Sequence, residues 1–126
     1  MKQIIQNLKS GETSLIDVPS PELPNNNLLI HTNKSLISAG TEKMLVDFAK
    51  SGYLSKARQQ PEKVKEVLQK VKTDGLATTL EAVQSKLSQP ITLGYCNVGR
   101  VVQVGNNVEG FSVGDRVVSN GSHAEV

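Results

Sequence analysis

Residues 94–118 have the sequence GYCNVGRVVQVGNNVEGFSVGDRVV, which carries the clearest signal of the fold. Two segments, Arg100–Val104 within it and Arg116–Ser119 at its end, are rich in the branched residues that suit a pleated, half-buried strand. The link between them is crowded with glycine and asparagine, which tolerate the positive φ that tight turns need. The stretch therefore predicts two β-strands joined by a turn-rich connection.

This stretch also resembles the N-terminal domain of the medium-chain dehydrogenase/reductase enzymes, the relatives of zinc alcohol dehydrogenase. That family carries the patterns G-H-E-x-x-G-x-V, V-x-x-V-G and V-x-x-F-x-x-G-D-R-V in this order. The matching positions here are Gly94-Tyr95-Cys96, Gly99, Val101, Val102-Gln103-Val104-Gly105, Val108, Phe111 and Gly114-Asp115-Arg116-Val117. The agreement fails where the family carries chemistry, because Tyr95 replaces a zinc-ligand His and Cys96 replaces Glu.

The beginning of the chain predicts three further strands. Two short ones flank the turn Ser10-Gly11-Glu12, and a third covers Leu28 to Ser35. Between them, Pro19 to Asn27 contains three prolines and predicts an extended connector. This order of a proline-rich element followed by a hydrophobic strand is again similar to the start of the family. The resemblance thus covers residues 1–42 and 90–126, and it implies a mainly β, GroES-like, partly open β barrel.

The segment Leu36–Glu42 stands at the position of the family's C-G-T-D motif, and there Ala39 replaces the Cys. In zinc members the Cys binds the metal, the Ser or Thr relays a proton, and the Asp steadies the metal's outer shell. A methyl group cannot bind zinc, and Tyr95 replaces a second ligand, so no zinc and no metal site are expected.

Thr41 and Tyr95 are the candidate catalytic residues. Thr41 matches the family's proton relay, although a role as N-cap of a following helix is favoured for its hydroxyl. Tyr95 could present its phenol to a substrate as an acid or hydrogen-bond donor, and this role weighs about evenly with that of a packed aromatic.

The remaining reactive side chains favour structural roles. Cys96 lacks an identifiable base, so a small buried side chain is the favoured interpretation. His123 is favoured as a histidine in a surface turn, with a pocket wall as the alternative. His31 alternates within a strand and is expected to face solvent.

The middle of the chain changes from strand to helical spacing. Three segments carry apolar residues at steps of three and four: one around Met44–Phe48, one after Pro61 and one from Leu76 to Leu87. They predict a three-helix insertion over residues 43–89 within a domain of residues 1–126. The lysines and arginines of this segment, Lys56 among them, alternate with acids and predict a solvated helix surface, with Glu62, Glu66 and Lys70 able to pair along one face.

Composition narrows the functional classes. The chain has 14 Lys and Arg against 12 Asp and Glu, without a basic tract, which argues against nucleic acid. No apolar run approaches membrane-spanning length, and the start of the chain lacks the apolar core of a signal peptide. We therefore expect no membrane association and a cytoplasmic location. One cysteine excludes an internal disulfide.

The chain carries no G-x-G-x-x-G fingerprint, so no cofactor-binding residue is expected in it. The resemblance implies that NAD or NADP binds to a downstream Rossmann domain and that the sequence is an N-terminal fragment, inactive alone. It further implies a zinc-independent oxidoreductase that moves a hydride to or from a carbonyl or alcohol.

Several short segments, such as Lys56–Pro61 and Ser119–Glu125, are similar to a branch of two-part bacterial oxidoreductases with a sugar-dehydrogenase-like second module. That similarity suggests a sugar or sugar-nucleotide substrate in polysaccharide synthesis, and a homo-oligomer is compatible with it. The alternative is a non-catalytic GroES-like protein-interaction module that has lost the ancestral site.

Overall fold

The computed structural model describes all residues, 1–126. The chain forms six strands and four helices, in the order β1 (Lys2–Asn7), β2 (Thr13–Asp17), β3 (Leu28–Ser35), α1 (Thr41–Lys50), α2 (Tyr53–Gln59), α3 (Pro61–Asp74), α4 (Leu76–Ser88), β4 (Pro90–Thr92), β5 (Asn97–Val104) and β6 (Arg116–Ser119). The strands make two three-stranded sheets, with the orders β2-β1-β4 and β3-β5-β6. The predicted α+β class with open sheets is confirmed.

The sheet β3-β5-β6 is antiparallel, and two of its three strands, β5 and β6, come from the stretch that begins at Gly94. Strand β5 lies in its centre, with Leu28 opposite Val104 at one end and Ser35 opposite Asn97 at the other. Val101 points into the core and is 1% exposed. Gly99 has no alternative at its position, because a Cβ there would lie 2.4 Å from the carbonyl oxygen of His31. His31 itself is exposed, as predicted.

Contacts divide the chain into two compact units, here called the β unit and the helical unit. The β unit comprises Met1–Ile5, Ser14–Glu42 and Thr92–Val126, and the helical unit comprises Gln6–Thr13 and Lys43–Ile91. Within the β unit, the last residues of the chain join strands of both sheets. Gln3 forms a bridge with Ala124, and the amide of Thr32 donates to the carbonyl of Glu125 over 2.9 Å.

The helical unit contains one helix more than the sequence predicts. The three predicted helices correspond to α1, α3 and α4, and α2 is the helix that was missed. Helix α3 starts with the predicted Pro61, and none of its residues is buried. None of the four helices combines the length and the apolar character that a membrane span requires.

The predicted solvated surface of α3 is confirmed, but with different ion pairs. Lys63 pairs with Glu66 at 2.9 Å, and Lys65 pairs with Glu62 at 3.0 Å. Lys70 pairs with Asp74 at 3.5 Å, and not with an acid of the preceding turn. Exposed pairs of this kind contribute a few tenths of a kcal/mol each, roughly.

Lys56 corrects the expectation that every lysine of this segment is solvated. It is 8% exposed, and its Nζ donates to the carbonyl of Ala49 over 2.8 Å and to that of Ser51. The same ammonium lies 5.8 Å from the ring centre of Phe48. These carbonyls lie at and just beyond the end of α1, where a positive charge complements the helix dipole. Lys56 therefore caps α1 from the side.

Candidate functional site

The loop between β3 and α1 places Thr41 at the start of a helix. Thr41 is the first residue of α1 and is exposed. The expectation that its hydroxyl is the N-cap is wrong, because Ser38 has that role. The Ser38 Oγ accepts from the amide of Thr41 over 3.1 Å, and the Ser38 amide donates to the Glu42 carboxylate over 2.9 Å. This reciprocal arrangement is a variant of the capping box.

Tyr95 lies in the connection between β4 and β5, also in the β unit. The residue is 48% exposed, so it is not the packed aromatic that was the alternative. The residue before it, Gly94, has a φ of 90°, a conformation that favours glycine. Tyr95 is therefore presented to solvent at a sharp change of chain direction.

A buried side-chain hydrogen bond of the β unit joins Glu42 and His123. The Nε2 of His123 lies 2.9 Å from the Oε2 of Glu42, and each residue is 7% exposed. The prediction of a surface-turn histidine is therefore wrong. The main chain of His123 is held as well, since its amide donates to the carbonyl of Leu93 over 2.7 Å and its carbonyl accepts from Ile4 over 2.9 Å.

The carboxylate of Glu42 stays ionised in this setting. Burial opposes its ionisation, but the hydrogen bonds from the Ser38 amide and from His123, together with the attraction of His123, outweigh that cost. The pKa of Glu42 consequently lies below its ordinary value of 4.5. An ionised carboxylate only accepts hydrogen bonds, so the Nε2 of His123 carries a proton.

The ring of His123 lies directly against Gly94. A Cβ at position 94 would stand 2.6 Å from the His123 amide nitrogen and 2.7 Å from its Nδ1. The Nδ1 is buried and has no hydrogen-bond partner.

The buried pair Glu42–His123 links the chain segments of the two candidate catalytic residues, Thr41 and Tyr95. Thr41 precedes Glu42 in the chain, and Tyr95 follows Gly94, on which His123 packs. No hydrogen bond joins the two hydroxyl groups directly. The family motifs identify Thr41 and Tyr95 in the sequence, but no signal in the sequence indicates that His123 contacts Glu42 and Gly94, their neighbours in the chain.

The residues at the family's metal positions do not fit zinc. Ala39 has no ligand atom, and Tyr95 stands at the second ligand position. His, Cys, Asp and Glu side chains do not come together in threes anywhere in the chain. Glu42 and His123 are a group of two, and they use their facing atoms on each other.

Cys96 is half-buried, which differs from the expected buried side chain. It lines a shallow pocket of about 270 Å³ together with Lys34 and Leu36. Its carbonyl accepts from the amide of Leu36 over 3.0 Å, which fixes the chain just before β5. No histidine lines this pocket.

A larger groove, of about 570 Å³, lies in the β unit away from both candidate residues. Its lining residues are all uncharged, among them Phe111, Asn120 and the buried Asn97. The Oδ1 of Asn97 accepts from the Ser119 hydroxyl over 2.6 Å. Neither Thr41 nor Tyr95 lines this groove.

Comparison with known proteins places the chain in a family. The family profile described as "Alcohol dehydrogenase GroES-like domain" matches residues 63–125, which is half of the chain. The chain therefore belongs to the alcohol dehydrogenase GroES-like domain family. The match begins inside α3, so it includes part of the helical unit.

Curated relatives are oxidoreductases by name. The L-threonine 3-dehydrogenase of Aeromonas salmonicida (strain A449) is 31% identical over 107 residues, which cover 85% of this chain and 22% of that protein. The acryloyl-coenzyme A reductase of Metallosphaera sedula is 36% identical over 75 residues, covering 56% of this chain and 23% of that protein. The chain thus spans about a fifth of the length of these relatives. No solved structure gives a significant match.

Proposed function

We propose that this chain is the substrate-side domain of a zinc-independent, NAD(P)-dependent oxidoreductase. The full-length enzyme would move a hydride between the nicotinamide and a carbonyl or alcohol. Membership of the alcohol dehydrogenase GroES-like family supports this proposal, and so do the names of the curated relatives, a dehydrogenase and a reductase.

The main support for the proposal is which residues occupy the family's active-site positions in this chain and how exposed they are. The two of these positions that carry a hydroxyl here, Thr41 and Tyr95, are both exposed, whereas Ala39 lacks the group that would bind a metal. Tyr95 is 48% exposed, which favours contact with a bound molecule over packing in the core of this chain. Exposed hydroxyls at these positions favour a direct role toward a substrate oxygen.

The chemistry of these residues is hydrogen bonding and proton transfer. When bound, the nicotinamide supplies or accepts the hydride. Thr41 and Tyr95 donate hydrogen bonds to the substrate oxygen, which becomes negative as a carbonyl is reduced, and one of them gives it a proton. Thr41 also stands at the N-terminus of α1, where the helix dipole favours a developing negative charge.

The cofactor site belongs to another part of the enzyme under this proposal. A dinucleotide site of the doubly wound type needs parallel strands and a glycine-rich turn that leads into a helix. Strands β3, β5 and β6 are antiparallel, and the turn before α1 contains a single glycine, Gly40. A downstream Rossmann domain is therefore part of the proposal, and the isolated 126 residues are expected to be inactive.

The substrate class is proposed on the resemblance of the sequence to two-part bacterial enzymes, namely a sugar or a sugar nucleotide. The curated relatives are named for different substrates, so they support the redox chemistry and not one substrate. A cytoplasmic location and a homo-oligomer complete the proposal.

A titration of the full-length protein with NADH and NADPH, followed by nicotinamide fluorescence, tests the proposal, with bound metal determined on the same sample. Tight nicotinamide binding without zinc is the expected result. Absence of binding would contradict an oxidoreductase, and one zinc per chain would contradict the interpretation of Ala39 and Tyr95.

The alternative is a protein-interaction module without catalysis, and one observation favours it. The helical unit exposes large apolar side chains, of which Leu54 is 81% exposed and Leu76 is 70% exposed. Exposed apolar surface of this kind is typical of interfaces. The same titration separates the two functions, because a pure interaction module binds neither NADH nor NADPH.

A further inference from the structure

The buried contact between Glu42 and His123 connects the two segments that carry the candidate catalytic residues. Glu42 directly follows Thr41 in the first turn of α1. His123 is bound to the other segment, since its amide donates to the carbonyl of Leu93 over 2.7 Å and its ring packs on Gly94, the neighbour of Tyr95. A single buried side-chain hydrogen bond therefore links the segment that carries Thr41 to the segment that carries Tyr95.

Both ends of this connection are fixed by contacts besides the pair itself. On one side, the second carboxylate oxygen of Glu42 accepts from the Ser38 amide over 2.9 Å, which holds the beginning of α1. On the other side, Gly94 has a φ of 90° and no room for a side chain beside His123. Movement of His123 would consequently move the backbone that carries Tyr95.

We propose that Glu42 and His123 are positioning residues, which set Thr41 and Tyr95 relative to each other for a shared substrate oxygen. This inference rests on the proposed function for its purpose. Its structural content, that the pair determines the placement of Tyr95, stands independently of that function. Neither residue is catalytic, because both are buried and the hydrogen-bonding atoms that face each other are occupied.

A purely structural pair would have a different consequence. Loss of such a pair lowers the stability of the whole unit but leaves exposed side chains in their ordinary environment as long as the protein remains folded. A positioning pair, in contrast, has a local effect on Tyr95 even under conditions where unfolding is negligible. The two roles can therefore be separated by observing Tyr95 in folded variants.

The tyrosines themselves can serve as spectroscopic probes for this test, because the chain has two of them, Tyr53 and Tyr95. Incorporation of 3-fluorotyrosine gives one fluorine resonance for each. Tyr53 is 58% exposed at the start of α2 in the helical unit, so it serves as the internal control. The measurement needs neither cofactor nor substrate and is made on the protein carrying this chain.

The variants are Glu42→Ala, which removes the hydrogen bond, and Glu42→Gln, whose amide oxygen can accept from Ser38 and whose NH2 can donate to Nε2 of His123 once the ring proton has moved from Nε2 to Nδ1. We expect the Tyr95 resonance to shift or broaden in Glu42→Ala, to return towards the wild-type position in Glu42→Gln, and the Tyr53 resonance to stay unchanged in both. An unchanged Tyr95 resonance in folded Glu42→Ala overturns the proposal. Equal changes at Tyr53 and Tyr95 also overturn it, because they indicate a global effect.

Should Glu42→Ala fail to fold, His123→Gln keeps the test decisive, since its side-chain amide can still donate to Glu42 but no longer packs a ring on Gly94. A Tyr95 resonance that is the same in His123→Gln and in wild type then contradicts the proposal. In the full-length enzyme, loss of positioning lowers kcat with little change in KM. Failure of the nicotinamide titration would remove the proposed function and leave the fluorine result standing, so the two failures are distinguishable.

Discussion

Glu42 and His123, 81 positions apart in the chain, share a buried hydrogen bond of 2.9 Å. The contact lies within the β unit and joins the first turn of α1 to the segment that follows β6. A buried carboxylate is stable only with hydrogen-bond partners, and Glu42 has one for each oxygen, Ser38 and His123. Several measurable properties of the protein depend on this arrangement.

The stability of the protein should fall at acid pH because of Glu42. The pKa of Glu42 is lowered in the folded chain, so its contribution is fully present above the unfolded value of about 4.5 and is lost as the pH falls through the lower folded pKa. The charged and polar groups that face the carboxylate are His123 and the Ser38 amide. Urea denaturation from neutral pH down to roughly pH 3 measures the loss.

The control for this pH dependence is Glu42→Gln, whose side chain does not titrate. We expect the free energy of unfolding of Glu42→Gln to change less between neutral and acid pH than that of the wild type. Parallel curves for the two proteins would show that other carboxylates dominate the acid unfolding.

Gly94→Ala should destabilise the protein more than Gly110→Ala does. Both glycines have a positive φ, 90° and 78°, so both substitutions strain the backbone. They differ in space, because a Cβ at position 94 lies 2.6 Å from the His123 amide nitrogen, whereas position 110 has nothing within 4 Å. We expect a difference in the free energy of unfolding of about 1–3 kcal/mol, measured by urea denaturation. Equal losses would mean that His123 moves aside without cost.

The secondary structure was predictable where the local sequence has a clear strand or turn pattern. Strand β3 has the predicted bounds Leu28–Ser35, and β6 has the predicted bounds Arg116–Ser119, because branched residues bounded by turn residues determine both. Helix α2 was missed because its seven residues, YLSKARQ, are mostly polar and lie between Gly52 and Pro61, which suggest a loop. Short helices of this composition depend on their neighbours for stability.

The candidate site was predictable only in part, for a physical reason. Thr41 and Tyr95 occupy motif positions and could be named from the sequence. The burial of His123 and of Lys56 comes from contacts with carbonyls or carboxylates elsewhere in the chain, for which the local sequence has no periodic signal. An isolated histidine in Gly-Ser-His-Ala and a lysine in a charged segment both have the local pattern of exposed residues.

Lys56→Met should destabilise the protein although it keeps the apolar stem. The substitution removes hydrogen bonds to the carbonyls of Ala49 and Ser51, and it leaves those carbonyls without this donor at the end of α1. We expect a loss of about 1–3 kcal/mol in the free energy of unfolding. Lys65→Met is the matched control, because the Lys65 side chain is 73% exposed and pairs only with Glu62. Thermal and urea unfolding of both variants provide the comparison, and a loss no larger than that of Lys65→Met would contradict the cap.

Tyr95→Phe and Thr41→Ala should lower the activity of the full-length enzyme without unfolding it. Both side chains are exposed, so their removal should change stability little, whereas loss of a group that transfers a proton should reduce kcat by about 10²-fold or more.

If the two hydroxyls serve the same substrate oxygen, the double variant should lose less than the product of the two single losses, because each step depends on both groups. Tyr53→Phe, which removes the other phenol of the chain, is the control and should retain wild-type kcat. Wild-type kcat in Tyr95→Phe together with a reduced value in Thr41→Ala would assign proton transfer to Thr41 alone, and unchanged values in both would remove these residues from the chemistry.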